Sequence, residues 1–154
     1  MQSGPIGVFD SGLGGLTVLR SLRALMPGED YIYLGDTARI PYGTRSSSTV
    51  IRYAKECVRF LEGRGVRKMF VVACNTMSAI ALDALPEVTH CPIVGTIKAT
   101  ARAAFENTRN GRIGVIGTQA TVRSLAFEKE IRAISEETVV QTLACPLFVP
   151  LVEE

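Results

Sequence analysis

Cys74 stands where an apolar run, residues 69–74, gives way to the polar pair Asn75-Thr76. A thiol at the end of a buried strand, with a helix about to begin, has its thiolate favoured, and the thiolate is the reactive form. Asn75 and Thr76 can donate hydrogen bonds to a carboxylate beside it. The competing reading of Cys74 is a buried packing residue, the usual fate of a free cysteine. Asp10 ends an earlier apolar run, beside Ser11-Gly12-Leu13-Gly14-Gly15. It can cap the following helix or relay a proton for a neighbouring thiol. The glycine turn offers free N–H groups to an anion, and its other reading is a tight turn with glycine used for backbone freedom. It is not a Walker loop, because no Gly-Lys-Ser/Thr follows, and Thr17 stands where a dinucleotide fingerprint needs its third glycine.

The other cysteines read differently. Cys57 lies on the apolar face of an expected helix and belongs to the core, while Cys91 and Cys145 each precede a proline and read as structural. His90, the single histidine, precedes a strand and reads as a surface residue on the opposite edge. With one histidine and no CxxC pair, no metal site is expected.

These residues need elements to hold them. Short apolar runs at 6–9, 31–34, 68–73, 92–95, 112–116 and 139–143 read as six strands. Helices are expected at 16–26, 49–62, 78–85, 98–106 and 121–134, the third of them stopped by Pro86. In 49–62 the apolar positions Val50, Ile51, Ala54, Cys57, Val58 and Leu61 share one helical face. Strands alternating with helices imply an α/β class and a parallel sheet. Ligands then bind at the carboxyl ends of the strands. The segments there are Asp10-Ser11, Gly35-Asp36-Thr37 with Pro41-Tyr42-Gly43, Cys74-Asn75-Thr76, and Gly117-Thr118-Gln119-Ala120-Thr121. The chain is expected to close on an apolar stretch, 148–154, without a covering helix.

Composition narrows the classes. The chain has 154 residues, 47% hydrophobic and 21% charged, which excludes disorder. The net charge of +2 and the sequence pI of about 8.4 argue against a dedicated nucleic-acid binder. No apolar run approaches the roughly 18 residues of a membrane helix. No basic, apolar leader is visible at the start. A cytoplasmic protein with reduced thiols is the expectation.

Five collinear segments resemble the glutamate racemases of the aspartate/glutamate racemase family. They are Gly7-Val8-Phe9-Asp10-Ser11-Gly12-Leu13-Gly14-Gly15-Leu16-Thr17-Val18, Tyr33-Leu34-Gly35-Asp36-Thr37-Ala38-Arg39-Ile40-Pro41-Tyr42-Gly43, Ala73-Cys74-Asn75-Thr76, Ile113-Gly114-Val115-Ile116-Gly117-Thr118, and Cys145-Pro146-Leu147-Phe148-Val149-Pro150-Leu151-Val152-Glu153. The resemblance implies a racemase without cofactor that interconverts L- and D-glutamate for peptidoglycan synthesis. One thiolate removes the α-proton and a second thiol protonates the opposite face. Cys74 matches the first cysteine and Asp10 the carboxylate assisting it. Ser11, Pro41, Tyr42, Gly43, Asn75, Thr76, Thr118 and Thr121 match substrate-binding positions, and Glu153 a carboxylate across the site.

The second cysteine of such racemases lies in a Gly-Cys-Thr-His-x-Pro segment that nothing here matches. The implied fold is an open parallel-sheet, three-layer α/β sandwich of two similar domains. Residues 1–97 form the first, carrying Asp10 and Cys74, and 98–154 begin the second; the rest of that domain, and the return to the first, are expected to be truncated. Glutamate is the implied partner and a homodimer the implied assembly, with no membrane or nucleic acid. Aspartate racemase, or a non-catalytic fragment that binds an acidic ligand or a protein, are the alternatives.

Overall fold

A computed structural model describes the backbone of residues 4–153 and the side chains of residues 4–151. The strands are β1 (Ile6–Asp10), β2 (Tyr31–Gly35), β3 (Met69–Val72), β4 (Ile93–Gly95), β5 (Arg112–Gly117) and β6 (Val139–Ala144). The helices are α1 (Leu16–Leu25), α2 (Ser47–Gly63), α3 (Asn75–Ile80), α4 (Thr96–Asn107), α5 (Gln119–Ser124), α6 (Ala126–Ile134) and α7 (Phe148–Glu153). Two short 3-10 turns, Thr37–Arg39 and Leu82–Glu87, complete the described elements. Four strands form a parallel sheet in the order β2-β1-β3-β4, and β5 pairs with β6 in a second parallel sheet.

β1 and β3 are near-continuous apolar runs because helices cover the four-stranded sheet on both faces. On one face Phe9, Phe70 and Val72 meet Val50, Ala54, Cys57, Val58 and Leu61 of α2. That stripe follows the helical repeat. The rings of Phe9 and Phe70 meet edge to face, 6.5 Å between centroids. On the other face Ile6, Val8 and Val71 pack against Val18, Leu19 and Leu22 of α1. Ser46 starts α2 by accepting the Thr49 N–H at 3.2 Å. A separate cluster joins Ile97 and Ala101 of α4 to Phe127 and Ile131 of α6, under Ile113, Val115 and Val140 of the second sheet. No described helix is long and apolar enough to cross a membrane.

Three expectations need correction. The helix expected at 78–85 begins at Asn75, because Cys74 supplies its cap, and gives way to a 3-10 turn that contains Pro86. The single helix expected at 121–134 breaks at Leu125, which is left-handed with φ 56°. There the Ser124 hydroxyl donates to the Thr121 carbonyl at 2.6 Å and accepts the Ala126 N–H at 3.2 Å, replacing the backbone ladder. The chain also closes on a helix, α7, where none was expected. Pro150 sits in its first turn, where a missing N–H costs nothing.

Candidate active site

β1 and β3 run side by side to the site, and the Ala73 N–H donates to the Phe9 carbonyl at 2.8 Å at their ends. Asp10 therefore ends one strand as Cys74 leaves its neighbour. Cys74 is 6% exposed and caps α3, its Sγ accepting the Met77 N–H at 3.4 Å. The Ser11 hydroxyl lies 3.3 Å from the same sulfur. Asp10 is buried, and its Oδ2 accepts the Gly15 N–H at 2.8 Å, tying the glycine turn to β1. The Tyr33 hydroxyl holds the turn from the other side, donating to the Gly12 carbonyl at 3.0 Å.

Asp10, Ser11, Cys74, Asn75, Thr76 and Thr118 line one cleft of about 680 Å³, between the end of β3 and the end of β5. Its far wall contains a triangle of hydroxyls. Thr76 and Thr118 are 3.0 Å apart, Thr118 and Thr121 2.9 Å, and Thr76 and Thr121 3.4 Å. Thr118 also caps α5, accepting the Thr121 N–H at 3.2 Å. Residues more than forty positions apart in sequence thus face one space.

The electrostatics reverse one expectation. Burial raises the Cys74 pKa above its ordinary value, and the Asp10 carboxylate adds to that rise. Hydrogen bonds from Ser11 and the Met77 N–H oppose it without overcoming it. A six-residue helix terminus does not offset removal from water. Cys74 therefore rests as a thiol, not as the favoured thiolate. Cys91 and Cys145 are partly exposed. They, not Cys74, are first in reach of an alkylating reagent.

Tyr42 and its neighbours are placed differently from Cys74. Tyr42 is buried, its hydroxyl donates to the Asp36 carboxylate, and its ring lies 5.4 Å from that of Tyr53. Arg39 donates to the same carboxylate through Nε at 2.6 Å and pairs with Glu56. Gly43 meets the site through its backbone. A Cβ there would stand 2.5 Å from Thr118 Cβ, and the Ala120 N–H donates to the Gly43 carbonyl at 3.2 Å. Pro41, Gly43 and Thr118 share a smaller cleft of about 80 Å³ with Val149 and Pro150. Glu153 closes α7, and its side chain lies outside the described residues. His90 is exposed and lines none of these clefts.

Sequence reasoning missed the Asp36–Arg39–Glu56 group, although Asp36 and Arg39 carry an i,i+3 signal. It also missed Thr96, which lines the large cleft. Among the described residues no group of histidine, cysteine and carboxylate side chains is placed to hold a metal.

Cys57 is core, as its helical position implied. Burial, with Asp36 nearby, pushes its thiol up to about 12 from an ordinary 9.0. Between those values the folded chain keeps a proton that the unfolded chain releases. Stability then falls as pH rises, by up to about 1.4 kcal/mol per pH unit from this group. Urea unfolding from about pH 8 to about pH 11 checks this, with Cys57→Ala showing a shallower decline than the parent.

The comparisons with known proteins bear on this cleft. The chain is 56% identical over 149 residues to the glutamate racemase of Geobacter metallireducens, covering 97% of this chain and 55% of that protein. It is 51% identical to the glutamate racemase of Aquifex aeolicus, covering 58% of it. Its structure is similar to that of glutamate racemase isoform RacE1 from Bacillus anthracis, with a TM-score of 0.94 at 42% identity, over 100% of this chain and 57% of that one. It is also similar to the Francisella tularensis glutamate racemase solved in complex with D-glutamate, with a TM-score of 0.88 at 42% identity, over 97% of this chain and 55% of that one. The chain spans a little over half the length of these relatives. The model of the Asp/Glu/Hydantoin racemase family matches residues 6–154, and the chain belongs to that family.

Proposed function

We propose that this chain supplies the Cys74 half of a glutamate racemase site that works without a cofactor. The observation that carries this reading is the cleft itself: a buried thiol, hydrogen-bonded to Ser11, faces amide and hydroxyl donors on Asn75, Thr76 and Thr118. Abstraction of an α-proton leaves charge on the substrate carboxylate, and those donors stabilise it. In one direction the Cys74 S–H bond breaks and its proton goes to the substrate α-carbon. In the other, Cys74 first gives its proton to the assisting Asp10 carboxylate, and the thiolate then takes the α-proton. Burial of the thiol sets the resting site for the first direction. Inversion also needs an acid/base on the opposite face. Among the described residues, none of the other three cysteines lines the cleft.

Residues 1–97 are then the unit holding Cys74, and 98–154 the unit holding Thr118. The role in supplying D-glutamate for peptidoglycan, the cytoplasmic location and a homodimeric assembly follow from the same reading. The test is a chimera in which this chain replaces the matching segment of the Geobacter metallireducens racemase, 56% identical over 149 residues. The chimera is expected to racemise glutamate and to leave aspartate largely untouched. A folded chimera that is inactive on glutamate overturns the proposal. The 154-residue chain alone is expected to be slower by about 10²-fold or more, because among the described residues Cys74 is the one cysteine lining the cleft.

A further inference from the structure

Ser78 is buried, and its single hydroxyl proton goes to the Val72 carbonyl at 2.9 Å. Its oxygen is then an acceptor only, and it receives the Thr96 N–H at 3.1 Å. Thr96, at the start of α4, is thus pinned to the end of β3. The Thr96 hydroxyl has two acceptors within reach, Asn75 Oδ1 at 2.6 Å and Ser78 Oγ at 3.3 Å. The 2.6 Å separation is that of an O–H···O bond and shorter than an N–H···O bond ordinarily is. The carbonyl end of the Asn75 amide therefore faces Thr96, and its two N–H groups remain for the cleft that both residues line.

We infer that Thr96 is a positioning residue for the site: through Ser78 and Val72 it locks the Asn75 amide so that only donors face the bound ligand's carboxylate. This rests on the racemase reading above. A flipped amide would turn a carbonyl oxygen toward an anion, so orientation decides whether Asn75 attracts or repels it. Thr96 itself need not touch the substrate. Its effect passes through one amide, and the anchor lies 21 residues away in sequence.

The test compares Thr96→Val, which keeps the shape and loses the donor, with Thr96→Ser, which keeps the donor. In the 154-residue chain, the Asn75 side-chain amide is followed by NMR, its signals assigned through their loss in Asn75→Asp. Thr96→Val is expected to move the Asn75 Nδ2 and Cγ signals toward those of a free asparagine, and Thr96→Ser to restore them. In a D-glutamate titration of the chimera described above, Thr96→Val is expected to weaken binding about three- to tenfold, the worth of one hydrogen bond, with recovery in Thr96→Ser. Unchanged Asn75 signals in Thr96→Val, or signals that Thr96→Ser fails to restore, overturn the inference. The expected amide changes with no glutamate binding in any variant uphold the positioning and overturn the racemase reading instead.

Discussion

In the chimera, Cys74→Ser is expected to lower kcat for glutamate racemisation by roughly 10²–10⁴, the typical worth of one positioned proton-transfer group. Serine keeps the volume and the contacts to Ser11 and the Met77 N–H, so the cap of α3 survives. Its hydroxyl binds its proton too tightly to exchange it with an α-carbon. The substrate cage of Asn75, Thr76 and Thr118 is untouched, so KM should change far less than kcat. Cys57→Ser serves as the contrast, because Cys57 lies in the α2 core and outside the cleft. It should cost stability and leave kcat near the parent value. Initial rates in both directions, by circular dichroism of glutamate, make the comparison. A Cys74→Ser chimera that retains more than about a tenth of kcat removes Cys74 from the proton path.

The parts of this fold that were legible in the sequence are those set by local pattern. The stripe Val50, Ala54, Cys57, Val58 and Leu61 gave α2, and the apolar runs gave β1 and β3, because each face that must be buried repeats with its own period. Cys74 was legible as a strand-end thiol for the same reason. Its proton affinity was not, because that depends on how completely Asp10, Ser11 and the cap of α3 exclude water. The break at Leu125 escaped because no glycine or proline marks it; one serine hydroxyl redirects the backbone. The closing helix α7 escaped because its six residues are too short to show a helical repeat. Tyr42 carries a recognisable motif, yet its hydroxyl turns to Asp36, a choice made by the seat that Arg39 and Glu56 build. Thr96 left no signal, because its partners Ser78 and Asn75 are 18 and 21 residues away.

Gly15→Ala is expected to destabilise the chain by about 2–4 kcal/mol and to displace Asp10 with it. The cause is space and not backbone freedom: Gly15 has φ −63° and ψ −13°, values open to any residue. A Cβ at this position would stand 2.7 Å from Asp10 Cβ and 2.9 Å from Ala73 Cβ. Neither neighbour is the loose end of a long side chain. Both are attached directly to the main chain at the ends of β1 and β3, and the Ala73-to-Phe9 hydrogen bond fixes those ends together. Relief has to come from the glycine turn, which moves away from β1 and lengthens the bond from the Gly15 N–H to Asp10 Oδ2. Overpacking of this kind costs about 1–3 kcal/mol, and the weakened bond to a buried carboxylate adds about 1 kcal/mol. Gly14→Ala is the control, since a Cβ there meets only Asp10 Oδ2, at 3.8 Å, an ordinary contact. Urea unfolding should separate the two variants by about 2 kcal/mol or more, with Gly14→Ala close to the parent. Equal losses would mean that the turn yields without disturbing Asp10, and that the close approach of α1 to the strand ends does not hold the carboxylate in place.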